Sequence, residues 1–337
     1  MRFVSFLKKE KDRIGLECEG KIYDLAKAAK SINVNIPSKM GKFLRDWKSN
    51  LALAVKVEKA IKKGKIKGGI IKNPKLLSPI PKPVSVRDGY AFRQHVETAR
   101  RNRGAEMIPE FDQFPVFYFS NHNAVFGEGN IFVESDHLHK LDFELECAIV
   151  IGKEGKNILA KEADNYIAGY MIMNDLSARN LQMEEMKLNL GPAKGKDFAT
   201  TFGPYLVTTN ELDQYKSATP LGNKYDLEMK AFHNGVQVSF GNLKDMNWTF
   251  AQIIERVSYG VELYPGDVIG SGTVGTGCFL ELNGTKMLEA KQKGEEYNSV
   301  WLKTGDTIEL EITGLGRLKN KIVKAQKDYS ISKRKKV

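Results

Sequence analysis

The chain has 337 residues, 42% of them hydrophobic and 28% charged, which are ordinary proportions for one large or two smaller globular domains. It contains no apolar run of membrane-spanning length, no secretory signal in the opening MRFVSFLKKEKD, and only three scattered cysteines, Cys18, Cys147 and Cys278, so a reducing cytoplasm is the expected setting. The net charge of +11 gathers in KVEKAIKKGKIKGGIIKNPK (56–75) and in the tail SKRKKV, neither with interleaved aromatics, so it reads as solvated lysine rather than a nucleic-acid surface.

Residues 1–75 read as a small N-terminal α/β domain. RIGLECEGKIYDL gives two short strands around a Glu-Gly turn, and MGKFLRDWKSNLALAVKVEKAIKK gives a helix. Pro79, Pro81 and Pro83 then make a stiff extended connector, and the boundary falls there. YAFRQHVETARRNR is helical, with Phe92, Val96 and Ala99 on one face. Strands dominate from residue 115. VFYF and IFVE come first, then LDFELECAIVIG and YIAGYMIMND. EMKAFHNGVQVSF is a hairpin with an Asn-Gly turn, and FLELNGTKML reads as another. TFAQIIERVSYG is the clearest helix, and DTIELEITGLGRLKNKIV closes the strand series. The fold class is therefore β-rich α+β rather than alternating and doubly wound. The main domain spans 79–325, followed by a basic tail over 330–337.

The stretch LDFELECAIVIG carries two glutamates, Glu144 and Glu146, on one side of a strand. With a side-chain period of two, Phe143, Leu145, Cys147, Ile149 and Ile151 share one face, and Glu144, Glu146, Ala148 and Val150 share the other. Both faces turn apolar, as in a strand covered on both sides. Two like charges placed there repel and lose hydration, which a cation, a shared proton or exposure at the strand's start would offset. Asp88 in VRDGYAF and Asp175 at the end of YIAGYMIMND offer further oxygens for a hard divalent cation. Two motif matches fail. GSGTVG (270–275) fits the dinucleotide-binding pattern, but the strand expected in CFLEL stands where a helix is needed; GPAKGK (191–196) is one residue short of a phosphate loop and is followed by Asp197.

RDGYAFRQH, DFELECAIVIG, MNDLSARNLQ, LGPAKGKDFATTFGP and SGTVGTGCFLELNG occur in that order. Together, over roughly residues 79–325, they resemble the fumarylacetoacetate hydrolase family. The resemblance implies a mixed β-roll core, a homodimer, and a Mg²⁺ or Ca²⁺ ion (Mn²⁺ as a third candidate) held by Asp88, Glu144, Glu146 and Asp175. It implies that His95, oriented by Glu281, activates water, and that Arg179, Gln182 and Lys196 stabilise an oxyanion, with Lys194 a rival for the lysine's place. Tyr90, Tyr118, Thr273 and Arg103 match substrate contacts, and Lys196 with Thr200 matches the surroundings of a second cation. Leu176 and Asn180 stand where the closest fumarylacetoacetases have Trp and Asp, and a tyrosine usual in MEEMKLNLGP is missing, which leaves the acyl group open. The expected activity is metal-dependent hydrolysis of a carbon–carbon bond in a 1,3-diketo acid, fumarylacetoacetate or a close analogue, with neither nucleic acid nor membrane as partner. The alternatives are an acylpyruvate hydrolase, a 2-oxo-acid decarboxylase, hydratase or isomerase of the same family, or a basic binding protein without catalysis.

Overall fold

The structure is a computed structural model and describes residues 1–66 and 68–334. Among these residues the framework is a mixed sheet of 11 strands facing a second sheet of five. The large sheet runs, neighbour to neighbour, through Lys21–Asp24, Lys11–Cys18, Arg2–Lys8, Thr200–Thr208, Ile167–Asp175, Leu145–Ile151, Val268–Gly270, Val86–Gly89 and Phe117–Ser120. Arg2 and Phe3 pair with Val207 and Leu206, so the N-terminal strands continue the same sheet beyond the proline-rich connector. The five-stranded sheet contains the Glu228–His233 and Val236–Asn242 hairpin, turned by Asn234 and Gly235, both with positive φ as the Asn-Gly signal requires.

The strand Leu145–Ile151 shows why the sequence folds this way. Every residue in it is buried. Leu145, Cys147, Ile149 and Ile151 pack between the two sheets with Met229, Ala231, Leu310 and Leu318. Ala148 and Val150 face the other way, into a core shared with Phe43, Leu44 and Val57 of the N-terminal helices Met40–Arg45 and Trp47–Lys62. The period-two pattern thus divides the strand between two cores, and each large aliphatic side chain so buried contributes about 1.5–3 kcal/mol. The single helix expected over 40–63 is two, broken at Asp46, whose φ of −127° and ψ of 61° lie outside the helical region.

One expected element is overturned. FLELNGTKML is no hairpin but the start of the helix Phe279–Lys293. Asn283 and Gly284 resemble a turn, yet Gly284 is the point where this helix meets the end of the helix Arg93–Arg101: a β-carbon there would lie 2.6 Å from Asn102 Nδ2. Asn102 also donates to Glu281 O at 3.0 Å, clamping the two helices. The dinucleotide match GSGTVG is therefore followed by a helix after all, against the expectation. Its backbone is committed elsewhere, since Gly272 N donates to the Asp88 carboxylate.

The tail is also less loose than its composition suggests. Asp136 accepts hydrogen bonds from Ser330 Oγ and from the amides of Ile331 and Ser332. Lys67 in the lysine-rich segment and residues 335–337 of the basic tail lie outside the described residues. Among the described residues no helix is long and apolar enough to cross a membrane.

Candidate metal centre and the adjoining cavity

Four strand ends place the four predicted acids together. Asp88, Glu144, Glu146 and Asp175 are all buried, and each offers an oxygen within 4.8 Å of the others. Asp175 ends the strand Ile167–Asp175, Glu146 lies on its neighbour, and Asp88 lies on Val86–Gly89, one strand further than Val268–Gly270. The intervening position is Gly270, paired with Asp88, where a β-carbon would come within 2.3 Å of Asp88 Oδ1. A glycine there leaves the carboxylate its space. Glu144 sits at the break between Leu141–Asp142 and Leu145–Ile151, its amide bonded to Asn174 Oδ1 at 3.0 Å.

The electrostatics of this cluster are unbalanced. Burial and the charge of Asp175 push the Asp88 carboxyl up to about 7. Burial and the charges of Asp88, Glu144 and Asp175 push Glu146 well above the usual carboxylate range. Glu144 goes the other way: burial would raise it, but the Lys196 ammonium and the Arg179 guanidinium outweigh burial and hold it down to about 2. Glu146 Oε2 and Asp175 Oδ1 are buried without any hydrogen-bond partner in the structure. Buried, unpaired carboxylate oxygens converging from several strands are the donor set of a hard divalent cation, and these residues fit one.

Two cations of the chain close one side. Lys196 Nζ bridges Glu144 Oε2 and Asp175 Oδ2, the latter at 2.6 Å. Arg179 donates to Glu144 Oε1 at 2.7 Å, to Gln182 Oε1 at 3.0 Å and to Asp142 Oδ2 at 2.9 Å. Lys196 rather than Lys194 is thus the lysine at the carboxylates; Lys194 points to the surface and pairs with Asp197. Tyr118 donates its hydroxyl to Asp175, and Thr273 donates to Glu146 at 3.3 Å.

A cavity of about 540 Å³ opens beside this centre, and His95, Tyr90 and Arg103 line it. His95 Nδ1 lies 2.6 Å from Glu281 Oε2, and the other Glu281 oxygen accepts the Thr276 amide at 2.9 Å. The pair forms because Phe92, Val96 and Ala99 bury one face of the helix Arg93–Arg101 and turn His95 inward toward the helix Phe279–Lys293. Tyr90 stacks edge-on against the imidazole, ring centroids 5.9 Å apart. Arg103 spends its Nε on Ala99 O at 3.0 Å. Thr200 lies apart, its hydroxyl 3.4 Å from Ser120 Oγ, and among the described residues no cluster of three His, Cys, Asp or Glu side chains gathers around it.

Asp142 lies in the glutamate stretch, but no sequence signal marks its role. Fully buried, it accepts from Arg179 and from the amides of Phe279 and Leu280 at 2.7 and 2.9 Å. One carboxylate thereby fixes the arginine and caps the helix that carries Glu281. The apolar wall of Met183, Met186 and Leu190 was likewise not foreseen. Its only sequence signal was the replacement of an expected tyrosine by methionine or lysine.

Such a carboxylate centre, at the ends of strands in a mixed sheet-rich α+β fold and beside a buried His–Glu pair, is a candidate divalent-cation site next to a candidate proton-transfer pair. Residues 85–323 match the family model described as fumarylacetoacetate (FAA) hydrolase C-terminal, and the chain belongs to the fumarylacetoacetate hydrolase family. It is 28% identical over 323 residues to a fumarylacetoacetate hydrolase domain-containing protein 2 homolog of Dictyostelium discoideum, covering 95% of each chain. It is 30% identical over 253 residues to the oxaloacetate tautomerase YisK of Bacillus subtilis, covering 74% of this chain and 73% of that one. The fold is shared with a fumarylacetoacetate hydrolase from Exiguobacterium antarcticum (TM-score 0.68, 23% identity, 96% and 100% of the two chains). It is shared too with the maleylpyruvate hydrolase of Sphingobium sp. SYK-6, solved with manganese(II) and pyruvate (TM-score 0.66, 19% identity, 97% and 100%).

Proposed function

We propose that the protein is a divalent-cation-dependent hydrolase that cleaves a carbon–carbon bond of a 1,3-diketo acid, fumarylacetoacetate or a close analogue. The observation that carries this reading is the 2.6 Å pairing of His95 with Glu281 on the wall of a cavity that also reaches the carboxylate centre. A hard cation held by Asp88, Glu144, Glu146 and Asp175, of the Mg²⁺, Ca²⁺ or Mn²⁺ type, would supply Lewis acidity toward the two diketone oxygens.

The chain's own groups do the proton and charge work. Glu281 accepts the Nδ1 proton of His95, which fixes the tautomer and leaves Nε2 free to take a proton from water. The water oxygen forms a bond to one carbonyl carbon. Arg179, Gln182 and Lys196 stand together where donors can face the resulting oxyanion; losing one such donor typically costs roughly 100- to 1000-fold in rate. Collapse restores the carbonyl, breaks the carbon–carbon bond and sends its electron pair to the departing carbon. The proton held on His95 can go to that carbon, giving a carboxylic acid and a ketone.

A second reading is favoured by the relative named an oxaloacetate tautomerase. There the same base would move a proton between carbon and oxygen of a 2-oxo acid, without water addition. Incubation of β-diketo acids and of oxaloacetate with the protein and Mg²⁺, Mn²⁺ or Ca²⁺, followed both by mass spectrometry and by enol absorbance, separates the two. Cleavage gives two smaller products with the elements of water added; tautomerisation leaves the mass unchanged.

A further inference from the structure

We propose that Glu185 is a positioning residue for Lys196, acting as a latch that closes the loop over 187–195 and so seats the Lys196 ammonium between Glu144 and Asp175. Only the catalytic consequence of the latch rests on the proposed hydrolytic reading; the seating itself does not.

The chain leaves the helix Arg179–Met186, runs outward, and returns to bring Lys196 to the buried carboxylates. Little apolar burial holds the excursion down, since Leu188 and Leu190 are 81% and 82% exposed. One carboxylate gathers its returning end. Glu185 Oε1 accepts the Lys194 amide at 2.7 Å, and Oε2 accepts those of Ala193 and Gly195 at 3.1 and 3.2 Å. Three successive amides converging on one anion form a backbone nest, and bonds to an ionised acceptor are stronger than neutral ones.

The closure is tight. A β-carbon on Gly195 would lie 2.6 Å from Gln182 Cα, so the returning turn presses directly on the helix. Gly195 O accepts the Ala178 amide at 2.8 Å, fixing the backbone from the other side. The next residue is Lys196, buried although Lys194 two positions earlier is exposed. The same loop lines the cavity mouth through Asn189, Leu190, Gly191 and Pro192. Release of Glu185 would therefore open the mouth and free the lysine together, and re-latching would restore both.

The test is amine footprinting of the full chain. Protein and its Glu185→Ala and Glu185→Gln variants are treated with an acetylating reagent, and acetylation of Lys196 is followed by mass spectrometry against the exposed, distant Lys244. In the unmodified chain Lys196 should be protected. In Glu185→Ala its labelling relative to Lys244 should rise by about tenfold or more, the effect expected when charge-assisted hydrogen bonds are lost, with a smaller rise in Glu185→Gln. Circular dichroism checks that the fold is kept. Continued protection of Lys196 in folded Glu185→Ala overturns the latch. Turnover of a diketo acid is measured in parallel: kcat should fall while KM changes less. Exposure of Lys196 with undiminished kcat would uphold the latch and instead remove Lys196 from the proposed chemistry.

Discussion

The Asp88 carboxylate occupies the space that a side chain at Gly270 would fill: a β-carbon there would stand 2.3 Å from Asp88 Oδ1 and 2.7 Å from Met173 Sδ. The carboxylate centre thus depends on an absence in the strand between its ligands. Gly270→Ala should displace Asp88, lower Mn²⁺ affinity by roughly tenfold or more, and destabilise the chain by about 1–3 kcal/mol, the usual range for overpacking. Paramagnetic titration with Mn²⁺ and urea unfolding measure the two effects. Unchanged affinity would mean that Asp88 is not a ligand.

Glu146 carries a cost and a use. Its carboxyl is buried among like charges and held well above the normal range, with one oxygen unpartnered. Glu146→Gln removes an ionisable group from among these acids while keeping the shape. It should leave the cation-free protein at least as stable near pH 7.5, yet weaken Mg²⁺ binding and lower turnover. A loss of stability without a loss of affinity would place Glu146 outside the cation site.

The centre also dictates a pH dependence. Asp88 is raised from 3.8 to about 7 by burial and by Asp175, and Glu146 is raised in the same direction. The folded chain then binds more protons than the unfolded chain between pH 4 and about 7, so these groups make stability fall as pH rises through that window. Without divalent cation the melting temperature should fall, through these groups, from about pH 5 to about pH 7.5. Added Mg²⁺ should raise it more at the higher pH, because the ligands must be deprotonated to bind. Equal Mg²⁺ effects at both values would contradict the placement of the cation among these acids.

Much of the fold was legible because its signals are local. The period-two alternation from Phe143 to Ile151 fixed which residues enter which core, and Asn234-Gly235 fixed a hairpin. The four acids could be listed because they sit at strand ends, but their convergence came from the family resemblance, not from spacing. The helix Phe279–Lys293 is not legible in the sequence because Asn283-Gly284 imitates a turn; the glycine answers instead to Asn102, 182 positions away in sequence when counted from Gly284. Asp142 and Glu185 stayed hidden for a related reason. Their roles lie in backbone amides brought to them by tertiary folding, which no residue pattern announces.

The basic segments give a further prediction. Deletion of residues 333–337 should leave turnover unchanged, because the described tail is anchored upstream by Asp136 at Ser330, Ile331 and Ser332. Any nucleic-acid binding should be weak and lost near physiological salt, as for a non-specific lysine surface. Tight, salt-resistant binding would favour a binding function for the lysine-rich segment.

The most direct test of the account is the turnover of fumarylacetoacetate by the His95→Ala variant at saturating Mg²⁺, followed as loss of the diketone's enol absorbance. His95 is bonded to Glu281 and stands outside the proposed ligand set of Asp88, Glu144, Glu146 and Asp175, so the variant should fold and bind Mn²⁺ at those acids normally. Loss of a general base typically costs roughly 100- to 10,000-fold, and kcat should fall by that order with a smaller change in KM. Glu281→Gln should cost less, and the double variant little more than His95→Ala alone, since the two act as one unit. Near-full hydrolysis by His95→Ala would contradict water activation by the His95–Glu281 pair.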